Sequence, residues 1–205
     1  DYIAKQLADF KSGRRKSDTM AGMAADLSPE EMKSLGAFFE KKPATRSEAT
    51  DPDLAGVGRY IFTKGNTFSG VAACVSCHGP KGHGTPQLPR LAGQQALYLE
   101  NQLKQFNTRE RNNDNAVMHS IASRLTELEV KAVASYVASL TPVKQAPSVQ
   151  GGDATAGAGN YGTCLACHGD KGQGNQALNA PPLAGQYDWY LVNQLKKFKA
   201  GIRGA

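Results

Sequence analysis

Two short segments of the chain share an arrangement of residues that could hold a metal-containing cofactor. Each has two cysteines three positions apart and a histidine directly after the second: Cys74, Cys77 and His78 in the first, Cys164, Cys167 and His168 in the second. Two thiols on one helical turn can reach the two vinyl groups of a porphyrin, and the following imidazole can bind the iron. The pattern predicts two covalently attached c-type haem groups, with His78 and His168 as iron ligands.

Other uses of paired cysteines explain less of the pattern. A disulfide framework needs no histidine after each pair, and 205 residues can build cores without such cross-links. A zinc site made from all four cysteines would leave both histidines and the surrounding repeat unexplained. A thioredoxin-like redox pair requires a strand followed by a helix, whereas these segments look helical and rich in glycine. Haem attachment therefore accounts best for these residues.

Composition and charge narrow the range of partners. The chain has 40% hydrophobic and 7% aromatic residues, a low apolar content that one haem per domain would supplement. Its formal net charge is +6, but each haem brings two propionates, so that ferric haem contributes about −1 and ferrous haem about −2. Basic and acidic residues are mixed along the chain, which gives no indication of nucleic acid binding.

No stretch of sequence approaches the roughly 18 apolar residues of a membrane-spanning helix. No signal peptide is visible, and the chain starts in what looks like the middle of a domain, so we expect any signal or anchor to lie outside this segment. Bacteria attach haem c on the outer side of the cytoplasmic membrane. We therefore expect a periplasmic protein, soluble or held at the outer face of that membrane by partners or by an anchor.

The haem motifs lie within a longer internal repeat. Residues 91–106 match residues 183–198 at 11 of 16 positions, and the helix within this segment occurs a third time at residues 2–10. Each copy has apolar residues at i, i+4 and i+7, which predicts one buried helical face used three times. A second helix, with a capping residue at Ser28 or Thr126 and a glutamate three positions later, follows the first two copies. These elements predict an all-α fold of tandem domains, each wrapped around a haem.

The residues that lead into the two haem motifs also match each other. Residues 55–60 pair with residues 156–161 by an alanine, a tyrosine and two glycines at equal spacings. Eleven more residues separate Tyr60 from Cys74 than separate the corresponding residues of the second copy. We therefore expect an insertion before the first haem motif.

The repeats divide the chain into one complete domain and two partial ones. We expect residues 53–141 to form a complete domain, while residues 1–42 resemble the second half of a domain without a haem motif. Residues 153–205 resemble a first half with its haem motif, and residues 43–52 and 142–152, rich in proline, glycine, serine and threonine, are predicted linkers.

The two partial domains do not combine simply, because both contain the repeated helix. We expect this sequence to be a segment of a longer chain with at least three repeats. Exchange of halves between neighbouring chains is the alternative, and it would produce an oligomer.

Two methionines recur at equivalent places in the repeat. Met118 lies seven residues before Leu125, and Met20 lies seven residues before Leu27. A thioether opposite histidine favours ferrous iron and raises the reduction potential. We expect Met118 to be the sixth ligand of the iron bound by His78, and Met20 to be a ligand of a haem that the sequence does not identify. The sixth ligand of the second haem stays open at this point.

Three motifs carry a resemblance to a known family. They are Cys-His-Gly-x-Lys-Gly-x-Gly at each haem site, Pro-x-Leu-Ala-Gly-Gln before the repeated helix, and Tyr-Leu-x-x-Gln-Leu-x-x-Phe within that helix. Together they resemble the class I cytochromes c, and most closely the cytochrome c4 family, over nearly all of the chain outside the linkers. The resemblance implies an all-α fold, His/Met ligation and electron transfer to a terminal oxidase. It also implies that the carbonyls of Pro89 and Pro181 accept the ring N–H of the two histidines.

These features predict a multi-haem carrier of single electrons rather than an enzyme. Its partners would be redox proteins such as a terminal oxidase or a quinol-oxidising complex, and it could be a subunit of an oxidase or dehydrogenase. Six-coordinate iron would suppress side reactions with oxygen or peroxide. Two alternatives stay open: a di-haem enzyme such as a peroxidase, with an open position at the second iron, and a head-to-tail array of haems.

Overall fold

The computed structural model describes residues 9, 15–40, 42–43, 48–85, 88–113, 116–143, 152–186 and 188–199. Within these ranges the regular structure is helical, and extended pairing is limited to two isolated β-bridges, Asn66–Val71 and Asn175–Ala180. The predicted all-α class is confirmed. The first copy of the repeated helix, apart from Asp9, lies outside the described residues, as do residues 44–47 of the first predicted linker and 144–151 of the second.

Ten α-helices and one 3₁₀ turn are present in the described residues. The helices are α1 (Asp18–Ala25), α2 (Pro29–Glu40), α3 (Pro52–Lys64), α4 (Val75–His78), α5 (Ala96–Thr108), α6 (Val117–Ala122), α7 (Glu127–Ser139), α8 (Ala154–Asn160), α9 (Leu165–His168) and α10 (Asp188–Lys199); the 3₁₀ turn is Tyr161–Thr163. The repeated helix corresponds to α5 and α10, and the two capped helices are α2 and α7.

Side-chain caps explain where the capped helices begin. The Thr126 hydroxyl accepts the Glu129 N–H at 3.2 Å, and the Glu129 carboxylate accepts the Thr126 N–H at 2.8 Å. Ser28 and Glu31 make the same reciprocal pair at 3.2 and 2.7 Å. Both predicted capping boxes are therefore confirmed, and each satisfies two backbone N–H groups that the helix itself cannot pair.

One apolar cluster is built from the elements of residues 53–141. Helix α3 crosses α7, and α5 packs on both α7 and α6. The buried members of this cluster are Ile61, Phe62, Val71, Ala96, Leu99, Leu125, Val130, Val133, Ala134, Val137 and Ala138. Cys74 and Val75, at the first haem motif, pack against its edge. The cluster therefore forms the apolar wall beside which the first haem motif lies.

A second apolar cluster joins the two ends of the chain. Helices α8 and α10 pack on α2, and α10 also packs on α1. Its buried members are Ala24, Met32, Leu35, Phe39, Tyr161, Tyr190, Leu191 and Val192, and Cys164 packs against them. The second haem motif therefore lies against helices from the amino-terminal part of the same chain.

Glycines allow the two principal helix crossings. A Cβ atom on Gly58 would lie 1.9 Å from the carbonyl oxygen of Ala132 in α7. A Cβ atom on Gly157 would lie 2.1 Å from the carbonyl oxygen of Ser34 in α2. Since no Cβ fits at such distances, each helix backbone approaches its partner directly at a glycine.

These crossings show that the sequence pairing of residues 55–60 with 156–161 is wrong by two positions. In the structure Gly58 corresponds to Gly157, and Phe62 corresponds to Tyr161. The Phe62 ring lies 5.6 Å from the ring of Tyr136 in α7. In the same way, the Tyr161 ring lies 5.5 Å from the ring of Phe38 in α2. Each helix crossing needs a glycine where the two backbones meet. The sequence comparison instead aligned the two Gly-x-Gly spacings, which does not identify the glycine at the contact.

The α3–α7 crossing leads to a mutational prediction with a matched control. Gly58→Ala should destabilise the fold by about 1–3 kcal/mol, because the new methyl group overlaps the α7 backbone. Gly56→Ala lies one half-turn away with no atom within 4 Å of its Cβ, so it should stabilise by up to about 1 kcal/mol through helix propensity. Urea unfolding followed by circular dichroism measures both. Equal stabilities of the two variants would contradict the crossing.

Candidate haem sites

The first cysteine pair lies on a single helical turn. The N–H of His78 donates to the Cys74 carbonyl at 2.9 Å, and that of Cys77 donates to the same oxygen at 3.3 Å. Gly79 ends the turn with a φ of +76°, in the left-handed region. Cys74 is partly buried, whereas Cys77 is exposed. The turn thus holds both thiols and the imidazole close together, as attachment to one porphyrin requires.

The second cysteine pair has the same local geometry. The N–H groups of Cys167 and His168 donate to the Cys164 carbonyl at 3.3 and 2.9 Å, and Gly169 ends the turn with a φ of +79°. Burial raises the pKa of the Cys74 thiol to about 11 and also raises that of Cys164. Both sulfurs are therefore uncharged in their apolar surroundings, which suits conversion to neutral thioethers.

Both histidines are buried and oriented by a backbone carbonyl. The Nδ1 of His78 lies 3.1 Å from the carbonyl oxygen of Pro89, and the Nδ1 of His168 lies 2.9 Å from that of Pro181. Burial lowers the pKa of each imidazole, and the hydrogen bond to the carbonyl opposes this in part. A neutral ring that donates through Nδ1 keeps a lone pair on Nε2, which is the atom available to iron.

Glycines shape the loop that brings Pro89 to His78. Gly82 and Gly84 have φ values of +61° and +76°. The Gly82 carbonyl accepts N–H groups from Leu91 and Ala92 at 2.8 and 2.9 Å, and the Gly84 N–H donates to the His78 carbonyl at 2.9 Å. The loop after His168 repeats these bonds with Gly172 and Gly174. The Lys-Gly-x-Gly part of the motif therefore places the proline carbonyl at the histidine.

The two sites differ in where each carries extra residues. Phe62 lies twelve positions before Cys74, while its counterpart Tyr161 lies three before Cys164. The additional residues include the Asn66–Val71 bridge, where the Asn66 amide donates to Glu129 at 2.8 Å. The predicted insertion before the first motif is confirmed, but its length is nine residues (12 positions against 3) rather than eleven. The turn after the second motif, bridged between Asn175 and Ala180, is two residues longer than its counterpart between Thr85 and Leu88, since Pro181 lies seven positions after Gly174 and Pro89 lies five after Gly84.

Two polar side chains that sequence analysis did not select, Tyr161 and Arg90, contribute to the sites together with Gln186, the last residue of the second Pro-x-Leu-Ala-Gly-Gln motif. The Tyr161 hydroxyl donates to the Gly169 carbonyl at the end of the second cysteine turn. The Arg90 N–H donates to the Gln186 side chain at 3.1 Å, and the Gln186 amide donates back to the Arg90 carbonyl at 2.9 Å. Arg90 and Gln186 are both buried. Motif matching missed Tyr161 and Arg90 because Phe62 and Pro182 stand at their places in the other copy.

The two methionines lie on short helices next to the repeated helix. Met118 is partly buried in α6, which packs on α5. Met20 is partly buried in α1, which packs on α10 and starts at Ser17, whose hydroxyl accepts the Met20 N–H at 3.1 Å. His119, beside Met118, directs its Nδ1 to the Phe106 carbonyl at 2.8 Å.

The donor set fits haem c better than the alternatives. All four cysteines are free thiols, so no disulfide framework is present. Among the described residues no group of three or more His, Cys, Asp or Glu side chains could hold a metal ion, which argues against the four-cysteine zinc site. Two thiols and a neutral buried imidazole on each turn are what covalent haem requires.

Comparison with known proteins decides the family. A family model for cytochrome c matches residues 62–141 and 154–205, more than half of the chain and both haem motifs. The chain belongs to the cytochrome c family. It is 40% identical over 145 residues to cytochrome c4 of Thiocapsa roseopersicina, covering 69% of this chain and 74% of that protein. It is 42% identical over 147 residues to a thiosulfate dehydrogenase electron acceptor of Stutzerimonas stutzeri, covering 68% and 66%.

A solved structure supports the same conclusion for the fold. The crystal structure of reduced recombinant cytochrome c4 from Pseudomonas stutzeri matches with a TM-score of 0.64 and 33% identity, over 68% of this chain and 80% of that chain. The predicted resemblance to cytochrome c4 and the tandem cytochrome c domains are therefore confirmed. The relatives also establish two covalently bound haem c groups and electron transfer rather than enzymatic turnover. In the described part of the chain, no helix is long and apolar enough to cross a membrane.

The glycine loop at the first site gives a prediction about its reduction potential. A Cβ on Gly84 would lie 2.7 Å from the Pro89 carbonyl oxygen, so Gly84→Ala should displace that carbonyl and weaken its bond to His78. The imidazole would then be less basic and would stabilise ferric iron less. The reduction potential of one haem should therefore rise. Potentiometric titration measures this. The control is Gly70→Ala, which also has a positive φ of +70° but meets only the flexible Arg124 side chain; equal shifts in both variants would contradict the prediction.

Proposed function

We propose that the chain carries single electrons between periplasmic redox proteins of a respiratory pathway, with His78 and His168 as proximal iron ligands. Haem iron supplies the one-electron ferric/ferrous couple when it is bound. The observation that carries this proposal is the pair of buried imidazoles whose Nδ1 atoms are held by Pro89 and Pro181, since this leaves one iron-binding nitrogen on each ring. The cysteines on the same turns would fix each porphyrin.

We also propose that residues 53–141 form one complete haem domain, with Met118 as its distal ligand. The apolar cluster around Phe62 and Leu99 is drawn entirely from this range. Met118 lies on α6, between α5 and α7 in the chain, and α6 packs on α5. A soft thioether there would favour the ferrous state and occupy the position at which oxygen or peroxide would otherwise bind.

The partners follow from the chemistry of the relatives. One relative is named as the electron acceptor of thiosulfate dehydrogenase. We therefore propose that this chain accepts electrons from a dehydrogenase or a quinol-oxidising complex and donates them to a terminal oxidase, as a free carrier or as a subunit of such a complex. Covalent haem attachment supports a periplasmic location, since the attachment takes place there in bacteria.

Carbon monoxide binding tests this function against that of a haem enzyme. Carbon monoxide added to the reduced protein should leave the absorption spectrum of both haems unchanged, because an electron carrier of this kind would keep a sixth ligand on each iron. Met118→Ala should then open one iron and give carbon monoxide binding at half of the haem. Binding to the unmodified protein at either haem would overturn the carrier and favour a di-haem enzyme such as a peroxidase.

A further inference from the structure

The two ends of the chain pack on one another in the arrangement found within residues 53–141. Helix α8 crosses α2 as α3 crosses α7, and α10 packs on α2 and α1 as α5 packs on α7 and α6. Every helix of the first domain that packs around its haem motif therefore has a counterpart around the second. Two of these counterparts, α1 and α2, precede the first domain in the chain.

Individual contacts agree with this correspondence. The guanidinium of Arg111 lies 4.3 Å from the ring centre of Phe106, and its backbone N–H donates to the Gln105 carbonyl at 3.0 Å. The guanidinium of Arg15 lies 5.0 Å from the ring centre of Phe198, while its backbone N–H keeps the local bond, donating to the Asp9 carbonyl at 3.0 Å. Arg15 therefore lies over the ring of Phe198, which is distant in sequence, as Arg111 lies over the ring of Phe106, five positions before it.

The loop after the second haem motif also contacts α2. The Gly185 N–H donates to the Phe39 carbonyl at 3.3 Å, and the Phe39 ring lies 4.6 Å from the ring of Tyr161. A Cβ on Gly172 would lie 3.0 Å from the Phe39 ring. Since Gly172 belongs to the loop that holds Pro181 at His168, the amino-terminal segment forms one wall of the second site.

The correspondence extends to the methionine. Leu27 packs against the second cluster as Leu125 packs within the first, and Met20 and Met118 each lie seven residues before these leucines. Their helices, α1 and α6, pack on the corresponding helices α10 and α5. The register of Met20 relative to its domain is therefore that of Met118.

We propose that Met20 is the sixth ligand of the haem attached to Cys164 and Cys167, so that the second site is assembled from two segments of one chain that are far apart in sequence. The proposal rests on the proposed function, because it assumes that His168 binds haem iron as His78 does. The amino-terminal segment supplies the distal half of the site and the carboxy-terminal segment supplies the proximal half. Haem attachment at the second motif alone therefore does not complete the iron coordination.

The test uses the full chain with both haems and two variants on one helix. In the reduced protein, a methionine bound to haem iron has its methyl proton resonance shifted far upfield by the porphyrin ring current. The unmodified protein should show two such resonances, Met20→Ala should show one, and Met20→Ala should also bind carbon monoxide at half of the haem. The control is Met23→Ala, which removes a largely exposed methionine of the same helix and should keep both resonances.

Two further experiments show whether the lost resonance belongs to the second haem and whether Met20 comes from the same chain as that haem. In a Cys164→Ala/Cys167→Ala protein, which would carry only the first haem, adding Met20→Ala should change neither the remaining resonance nor carbon monoxide binding. Sedimentation should show that the unmodified protein with both resonances is a single chain. Both resonances in dimers alone would overturn the assembly from one chain.

The outcomes separate this inference from the function on which it rests. If Met118→Ala removes one resonance while Met20→Ala leaves both, the His/Met carrier stands and the role of Met20 is overturned. If neither variant removes a resonance, the proposed His/Met ligation itself fails. Loss of a different resonance in each variant, and of both in the double variant, supports the inference.

Discussion

The hydrogen bond from each histidine Nδ1 to a proline carbonyl is the interaction on which the rest of the structure depends. A buried imidazole N–H without an acceptor would cost about 1–3 kcal/mol, and a ring free to rotate would not present Nε2 in one direction. The carbonyls of Pro89 and Pro181 remove both problems. They can do so because glycines in the left-handed region fold the intervening loop back on the cysteine turn. The motif therefore holds each imidazole in the one orientation that leaves Nε2 available to iron.

The same loops connect the two haem sites to each other. Arg90 directly follows the proline that orients His78, and its backbone exchanges two hydrogen bonds with the buried side chain of Gln186. Its guanidinium donates to the Ala184 carbonyl at 3.2 Å, in the loop that orients His168. Direct hydrogen bonds therefore join the loop that orients His78 to the loop that orients His168.

The sequence was sufficient for the haem motifs, both capping boxes and the helical class, because each depends on residues close together in the chain. It was insufficient for contacts between distant segments. Comparison of the two copies by sequence paired Gly58 with Gly159. In the structure Gly58 corresponds to Gly157, because these are the two glycines that face a neighbouring helix. The pairing of Arg90 with Gln186 has no counterpart in the repeat and no local signal. The packing of α8 and α10 on α2 likewise could not be predicted from hydrophobic periodicity, which indicates that a helix face is buried but not which helix covers it.

The central claim is that this chain is a two-haem cytochrome whose haems are both bonded covalently to their cysteine turns. The most direct measurement is the intact mass of the protein after denaturation, when only covalently attached groups remain. For these 205 residues expressed as one polypeptide, the account predicts the mass of that polypeptide plus two haems. A mass equal to the chain alone, or to the chain with a single haem, would contradict it.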